Sequence, residues 1–520
     1  MAGECLMAID AGTGSCRAIV FDAQGRRVAL AQREWSHAPV DGIPGSHAFD
    51  TARNWELICG CVRECLAQAQ LPDGAVKAVS ATSMREGMVL YDRAGREVWA
   101  CPNVDGRAGV EAAELVAAGH AERIYERGGD WVAITAPPRL RWLARREPEL
   151  FAGLGGFGML SDWILYRLSG RQVTDPSIGS SSAMFDLATR TWSPETLALC
   201  GIAPGIAPEV LECGTPMGEV TAQAAADTGL AAGTTVVVGG ADTQLALVGL
   251  GIGDPGAITV IGGTFWQHTA VLDEALIDPQ RRLRTLCHAV PDRWMIEGIG
   301  FLSGLTMRWF RDAFCALEAE RARERGVDPY AAMEELAAAA PPGAGGVVGV
   351  FSNLMEARRW VHAAPAFVGF DIGDPAHSGK NECIRAIEES AAYVSRGHLE
   401  IVAELLGRSA EAVVFTGGAA QGTLWPQILA DVLGVPVHVP VVRESTALGA
   451  ALLAGTGAGV YANAAAAGRD LASFEAPVEP DPGRTAAYEE LYAAWRQVYL
   501  ASLEMSEAGL TRPLWRAAGA

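Results

Sequence analysis

The sequence predicts an α/β protein built as two related halves, and three observations carry that prediction. The chain has 520 residues, more than one ordinary core accommodates, so two domains of similar size are expected. Short apolar runs bounded by turns alternate with amphipathic helical segments and do not form a uniform βαβ repeat. Each half also opens in the same way, with an apolar strand, a Gly-Thr turn and a second apolar strand. One such turn after a strand means little, whereas two, each heading a half, point to a duplicated domain.

In the first half, the run Leu6 to Asp10 is halted by Ala11-Gly12-Thr13-Gly14. The segment Ala18 to Phe21 ends at the turn Asp22-Ala23-Gln24-Gly25, and Val28 to Ala31 completes an antiparallel meander. An amphipathic helix is expected from about Asn54 to Gln68, followed by strands at Val76–Ser80 and Thr235–Val238. The glycine-dense stretch Gly249 to Gly256 divides the chain into residues 1–248 and 249–520. In the second half, Ala257 to Ile261 stops at Gly262-Gly263-Thr264 and is followed by Thr269 to Leu272. A strand near Met295, helices at Leu305–Phe314 and Glu382–Leu406, the strand Ala412–Phe415 and the turn Gly417-Gly418 complete the pattern.

Composition excludes several functions. Hydrophobic residues make up 50% and charged residues 20%, the balance of a packed globular protein. A formal net charge of -20 repels nucleic-acid phosphate and anionic lipid, so neither nucleic acid nor a membrane surface is expected as a partner. The start, MAGECLMAID, lacks a basic region followed by a long apolar stretch, and no apolar run reaches the ~18 residues a membrane span needs. The chain therefore reads as cytoplasmic. Eleven cysteines are scattered; Cys59, Cys61 and Cys65 share one helix at offsets that do not converge on a face, so they read as core thiols and not as zinc ligands.

The octet Asp10-Ala11-Gly12-Thr13-Gly14-Ser15-Cys16-Arg17 is the most informative motif. Its glycines allow backbone N–H groups close to phosphate oxygens, its hydroxyls add donors, and Arg17 brings a fixed charge. Asp10, at a strand end, is placed to hold Mg²⁺ through water. No Gly-Lys-Ser/Thr follows, so this is not a Walker A loop; by itself the octet suits a phosphate cradle or a structural hairpin. In Gly239-Gly240-Ala241-Asp242-Thr243-Gln244 the carboxylate stands just past a buried strand. There it can accept a proton from an attacking hydroxyl or simply cap a helix. Gly262-Gly263-Thr264 and Thr416-Gly417-Gly418 are two further turns after strands, the first fit for phosphate and the second for an adenine or ribose.

Taken in order, these segments resemble the FGGY carbohydrate kinases over nearly the whole chain. The resemblance implies two ribonuclease H-like, actin-like ATPase domains with the active site in the cleft between them. It also implies ATP-dependent phosphorylation of a hydroxyl on a small sugar-like molecule. Under it, Gly12, Thr13, Ser15 and Arg17 belong to the first phosphate motif, and Gly263 with Thr264 to the second. Gly417, Gly418 and Ala419 form the adenosine motif, and Glu444 to Ala451 the helix that follows. Asp242 stands at the catalytic base, and Arg85-Glu86 looks like the pair with which glycerol kinases grip substrate hydroxyls. Ser161 to Gly170 also reads as a family segment. MgATP is the implied cofactor, with Mg²⁺ held at Asp10 and Asp242 through water.

The departures bear on the acceptor. Asn103-Val104-Asp105-Gly106-Arg107 stands where many members carry Trp-x-Asp-x-Arg; Arg139 replaces a Lys, with Trp142 kept; and a second signature survives loosely at Arg385 to Glu389. Within the family, Ser83 to Gly87, Trp99 to Cys101, Gly262 to Gln267, Gly304 to Cys315 and Gly509-Leu510-Thr511 resemble the autoinducer-2 kinase branch. That likeness implies as acceptor the linear hydrated form of 4,5-dihydroxy-2,3-pentanedione, phosphorylated at its terminal hydroxyl. Arg85, Glu86, Asn103, Asp242 and Gln267 offer such a hydrated diketone donors and acceptors. Asn in place of Trp trades a stacking face for an amide, although Asn103 after Pro102 also reads as a turn residue. Two alternatives stand beside this reading. One is another FGGY kinase, for xylulose or glycerol. The other is a non-catalytic actin-like ATP-binding regulator, against which the joint presence of Asp10, Asp242 and both phosphate turns argues. Relatives that phosphorylate glycerol answer to a regulatory protein of the sugar phosphotransferase system; such a partner is implied, though no motif here shows the contact.

Overall fold

A computed structural model describes residues 4–72, 74–356 and 361–517. The first half opens with the meander β1 (Cys5–Ala11), β2 (Ser15–Asp22) and β3 (Arg27–Glu34), followed by α1 (Thr51–Ala69) and β4 (Val76–Ser83). A separate three-stranded sheet forms from β5 (Met88–Asp92), β6 (Glu97–Cys101) and β7 (Leu154–Met159), with α2 (Ala136–Arg146) between the last two in sequence. Then come α3 (Leu160–Ser169), β8 (Pro216–Glu219), β9 (Thr235–Ala241) and α4 (Asp242–Gly249). The main sheet runs β8-β9-β4-β1-β2-β3, with β4 parallel to both β1 and β9.

Every residue of β1 is buried, because helices cover both sheet faces. Met7, Ile9 and Ala11 join the core under α1, where Trp55, Ile58, Cys59, Val62 and Cys65 form a stripe at helical spacing. Asp50 caps that helix by accepting from Arg53 N at 3.0 Å. The eleven cysteines are buried free thiols, and burial pushes Cys59 up to about 12.

The second half repeats the plan. It comprises β10 (Ile258–Gly262), β11 (Trp266–Leu272), β12 (Arg284–Cys287), β13 (Trp294–Gly300), α5 (Ser303–Phe314), α6 (Pro329–Ala339), α7 (Lys380–Leu406), β14 (Val413–Thr416), α8 (Leu424–Leu433) and β15 (Val437–His438), ending with α9 (Ser445–Gly457) and α10 (Pro482–Glu507). Its sheet runs β12-β13-β11-β10-β14-β15. The order β13-β11-β10-β14-β15 has the same sense as β3-β2-β1-β4-β9, an antiparallel meander followed by parallel strands. The repetition is therefore one of topology and not only of turns.

The halves meet on a helix pair. α4 and α9 pack together, and a Cβ on Gly449 would overlap the Leu245 backbone, so the two main chains touch. Although α9 comes late in the chain, its Ala447, Leu448 and Ala450–Leu453 pack on Leu6, Ala8, Ile19 and Phe21 of the first sheet. Among the described residues no helix is long and apolar enough to cross a membrane.

Candidate active site

Two strand ends deliver the acidic residues. The register between β9 and β4 shifts between Val237 and Gly240. At Gly239 a Cβ would overlap the Ala81 carbonyl, so the bulge requires glycine there. Asp242 emerges as the first residue of α4, its Oδ1 accepting from Thr243 N at 2.7 Å. Its side chain remains 36% exposed, 3.8 Å from Arg85 Nε. The surrounding protein pushes its carboxyl up to about 6; Arg85 and the Thr243 amide oppose the shift, while Asp10 and Glu86 add to it. An acid tuned near neutrality suits proton acceptance at physiological pH.

Asp10 shares a β1 face with Leu6 and Ala8, so strand alternation directs it toward the junction of the halves. The hairpin register sets Arg17 directly opposite Asp10. Arg17 Nε donates to Asp10 at 3.1 Å, Nη2 pairs with the same carboxylate, and Nη1 donates to Glu444 Oε2 at 2.6 Å. Arg17, expected at phosphate, thus ties the first phosphate turn to the residue preceding α9. Among the described residues no three His, Cys, Asp or Glu side chains converge to hold a bare ion. Asp10 and Asp242 are hard oxygen donors close enough to influence one another. This pair fits a Mg²⁺ that completes its shell with water and phosphate oxygens.

The two phosphate turns differ in support. In the first, Gly12 N donates to Ser15 O at 2.9 Å and Trp35 Nε1 to Gly12 O at 2.9 Å, leaving Thr13 exposed. In the second, Gly263 and Thr264 are exposed after β10. Gly417 adopts φ +96° and a Cβ there would lie 2.7 Å from the Gly262 carbonyl, so the turn expected at adenosine rests directly on the second turn expected at phosphate. Gly263, Thr264, Gly418 and Ala419 together line a cavity of about 500 Å³ that extends beneath α5 and α6 to Arg308 and Tyr330.

Arg85 and Glu86, expected at the acceptor, sit in a buried ionic network that sequence reading missed. Arg85 donates to Glu297 with both terminal nitrogens, at 3.0 and 3.1 Å. Arg284 donates to Glu297 at 2.8 Å, to Glu86 at 2.8 Å and to Asp130 at 3.2 Å. The Arg85-Glu86 pair is therefore held from the second sheet by Glu297 and Arg284, not by mutual contact. Burial alone would raise the Glu297 carboxyl, but Arg284 and Arg85 hold it below its usual value; burial pushes Asp130 up to about 6. Glu86 itself adopts φ +61°, a strained conformation for a non-glycine residue. The signal for Glu297 was an acid amid the apolar strand MIEGIG. Gln267 shares its sheet face with Thr269 and Glu297 through the β11–β13 register.

Asn103 Nδ2 donates to Thr13 Oγ1 at 3.1 Å, and its Oδ1 is buried without a partner. Arg139, 1% exposed, holds this loop by donating to the carbonyls of Asn103 at 3.0 Å, Asp105 at 2.7 Å and Glu86. A guanidinium reaches three carbonyls where a lysine ammonium would act as a point donor. Arg107 pairs with Asp105 at 2.9 Å and lies between the rings of Trp99 and Trp142, 5.1 Å from each. In sum, Asn103 touches Thr13, Arg85 lies 3.8 Å from Asp242, and Asp10 and Glu86 stand within electrostatic reach of Asp242, while Gly418 and Ala419 line a cavity with Gly263 and Thr264.

Comparison with known proteins finds relatives along nearly the whole chain. Residues 5–249 match the N-terminal domain of the FGGY family of carbohydrate kinases, and residues 259–458 match its C-terminal domain. Autoinducer-2 kinases of Yersinia enterocolitica and Yersinia pseudotuberculosis are each 46% identical over 520 residues, covering 99% of this chain and 98% of theirs. Among solved structures, a xylulose kinase from Rhodospirillum rubrum is 27% identical with a TM-score of 0.83, covering 96% of this chain and 99% of that one. A Plasmodium falciparum glycerol kinase with ADP, 18% identical, superposes with a TM-score of 0.82 over 96% of this chain and 98% of that one, and shares the fold.

Proposed function

Because this chain belongs to the FGGY family of carbohydrate kinases, we propose that it transfers the γ-phosphoryl group of ATP to the terminal hydroxyl of autoinducer-2. The acceptor form is the linear hydrated 4,5-dihydroxy-2,3-pentanedione, and the product a charged phosphate unable to leave by the route of the free signal. The observation that carries the acceptor assignment is 46% identity along both full lengths to autoinducer-2 kinases. Asn103 adds support: its unpartnered buried Oδ1 suits a polyhydroxylated acceptor better than the stacking face of a tryptophan.

In this reading residues 1–248 supply the acceptor site, the base and the first phosphate turn, and residues 249–520 the second phosphate turn and the adenosine turn. α9 is the segment that returns to the first sheet. ATP lies with its nucleoside over Gly417–Ala419 and its phosphates between Thr13, Ser15 and Thr264. Arg85, Glu86, Asn103 and Gln267 orient the acceptor so that its terminal oxygen faces the γ-phosphorus in line with the bond to ADP. As that oxygen bonds to phosphorus, the bond to the bridging oxygen of ADP breaks, and the hydroxyl proton passes to Asp242. Mg²⁺ held through water by Asp10 and Asp242 would offset charge on the transferring group. Closure of the halves on the α4–α9 contact excludes water, so phosphate goes to the alcohol. Use of cellular ATP accords with a cytoplasmic site of action.

Mass spectrometry of products tests this directly. The purified protein with MgATP and a panel of dihydroxypentanedione, xylulose and glycerol should phosphorylate the first in preference. Preferred turnover of xylulose or glycerol would reassign the acceptor, and ATP consumption indifferent to all three would remove the kinase reading.

A further inference from the structure

Three observations in the nucleotide cavity converge on one side chain. Glu388, within α7, lines the cavity, is 3% exposed, and its Oε2 has no hydrogen-bond partner. Its Oε2 has no cationic partner among the described residues. Arg308 is the one cationic side chain lining the cavity among the described residues, and Asp328 and Glu334 add negative charge. Glu334 is itself engaged, accepting from Thr423 N at 2.6 Å and from Leu424 N. Arg385, one turn earlier, is bonded to Glu389 at 2.8 Å and Tyr488 at 2.6 Å. Trp425 Nε1 donates to the Glu388 carbonyl at 3.1 Å and fixes this turn of α7 against α8.

A buried polar atom without a partner costs stability, and one aimed into a cavity is completed by what binds there. We propose that Glu388 reads the nucleobase of the nucleotide bound in this cavity. The inference rests on the kinase reading above and adds the residue that selects the base. Burial pushes the Glu388 carboxyl well above its ordinary range; Arg385 opposes this too weakly, and Glu334 and Glu389 add to it. That shift favours the protonated form, which carries one O–H donor beside one acceptor. That pair complements an edge on which a donor and an acceptor stand together, as the 6-amino group and a neighbouring ring nitrogen of adenine do. The O6/N7 edge of guanine offers two acceptors and leaves one lone pair facing another.

Calorimetric binding to the full-length protein tests the assignment, with ATP and purine riboside triphosphate, which lacks only the 6-amino group. The parent should bind the analogue about tenfold more weakly than ATP, the scale of one or two neutral hydrogen bonds. Glu388→Leu should bind ATP about tenfold more weakly than the parent does and no longer distinguish the two nucleotides, by the same arithmetic. Glu388→Gln, which keeps a donor and an acceptor, should recover most of the affinity lost in Glu388→Leu. Equal affinity of the parent for both nucleotides, or undiminished discrimination in Glu388→Leu, would overturn the proposal, and the first result needs no variant to fold. Failure of the parent to bind either nucleotide would sink the kinase reading instead.

Discussion

The role of Asp242 makes a prediction in which activity and stability move in opposite directions. Its carboxyl is raised from 3.8 to about 6, so the carboxylate that accepts the proton is about nine-tenths populated at pH 7 and about one-tenth at pH 5. Turnover limited by that group should fall roughly tenfold across those two units. The native state binds this proton more tightly than the unfolded chain does. Its contribution to stability is therefore present below about 3.8 and lost as pH rises through about 6. Asp242→Asn removes both behaviours and should lower kcat by about 10²- to 10⁴-fold, the scale of a lost general base. The assay is the initial rate of ADP release against pH at saturating acceptor, with parent and variant checked for equal folding by circular dichroism. Asp130 also lies near 6 and titrates in both proteins, so only the difference between the two profiles assigns the acid limb. Saturating MgATP should move the limb to lower pH, because a cation beside Asp10 and Asp242 favours the carboxylate. A variant within tenfold of the parent, with the acid limb unmoved, would refute the argument.

Three further perturbations probe the other parts of the site. Gly417→Ala forces a Cβ against the Gly262 carbonyl in a positive-φ conformation. It should cost about 1–3 kcal/mol and raise KM for ATP but not for the acceptor; unchanged thermal unfolding and KM would contradict the stacked-turn geometry. Glu297→Gln leaves Arg85 and Arg284 buried without their shared carboxylate. Denaturant unfolding should report a loss of about 3 kcal/mol, and an unaltered midpoint would show the network to be dispensable. Asn103→Ala should raise acceptor KM about tenfold by removing a hydrogen-bonding amide, and Asn103→Trp should shift preference among acceptors. Equal losses for ATP and acceptor would reduce Asn103 to a support for Thr13.

Local pattern determined a good deal here. The meanders of both halves were legible because their apolar runs end at glycine turns. The helix Thr51–Ala69 was legible because its apolar residues repeat at helical spacing, whereas Lys380–Leu406 is buried almost all round along its first half. Asp10 was legible at the end of its strand, and Asp242 and the turns at Gly263 and Gly417 because each follows a strand at once, where backbone geometry is set by neighbours in sequence. The small sheet of β5, β6 and β7 was not anticipated, since its third strand lies more than fifty residues from the second and pairing at that distance leaves no local trace. For the same reason tertiary structure alone decided that Arg17 bonds to Glu444, that α9 returns to the first sheet, and that Arg85 and Glu86 are gripped by Glu297 and Arg284. Charge acts through space: a sequence names the charged groups, and only the folded chain chooses which of them face one another.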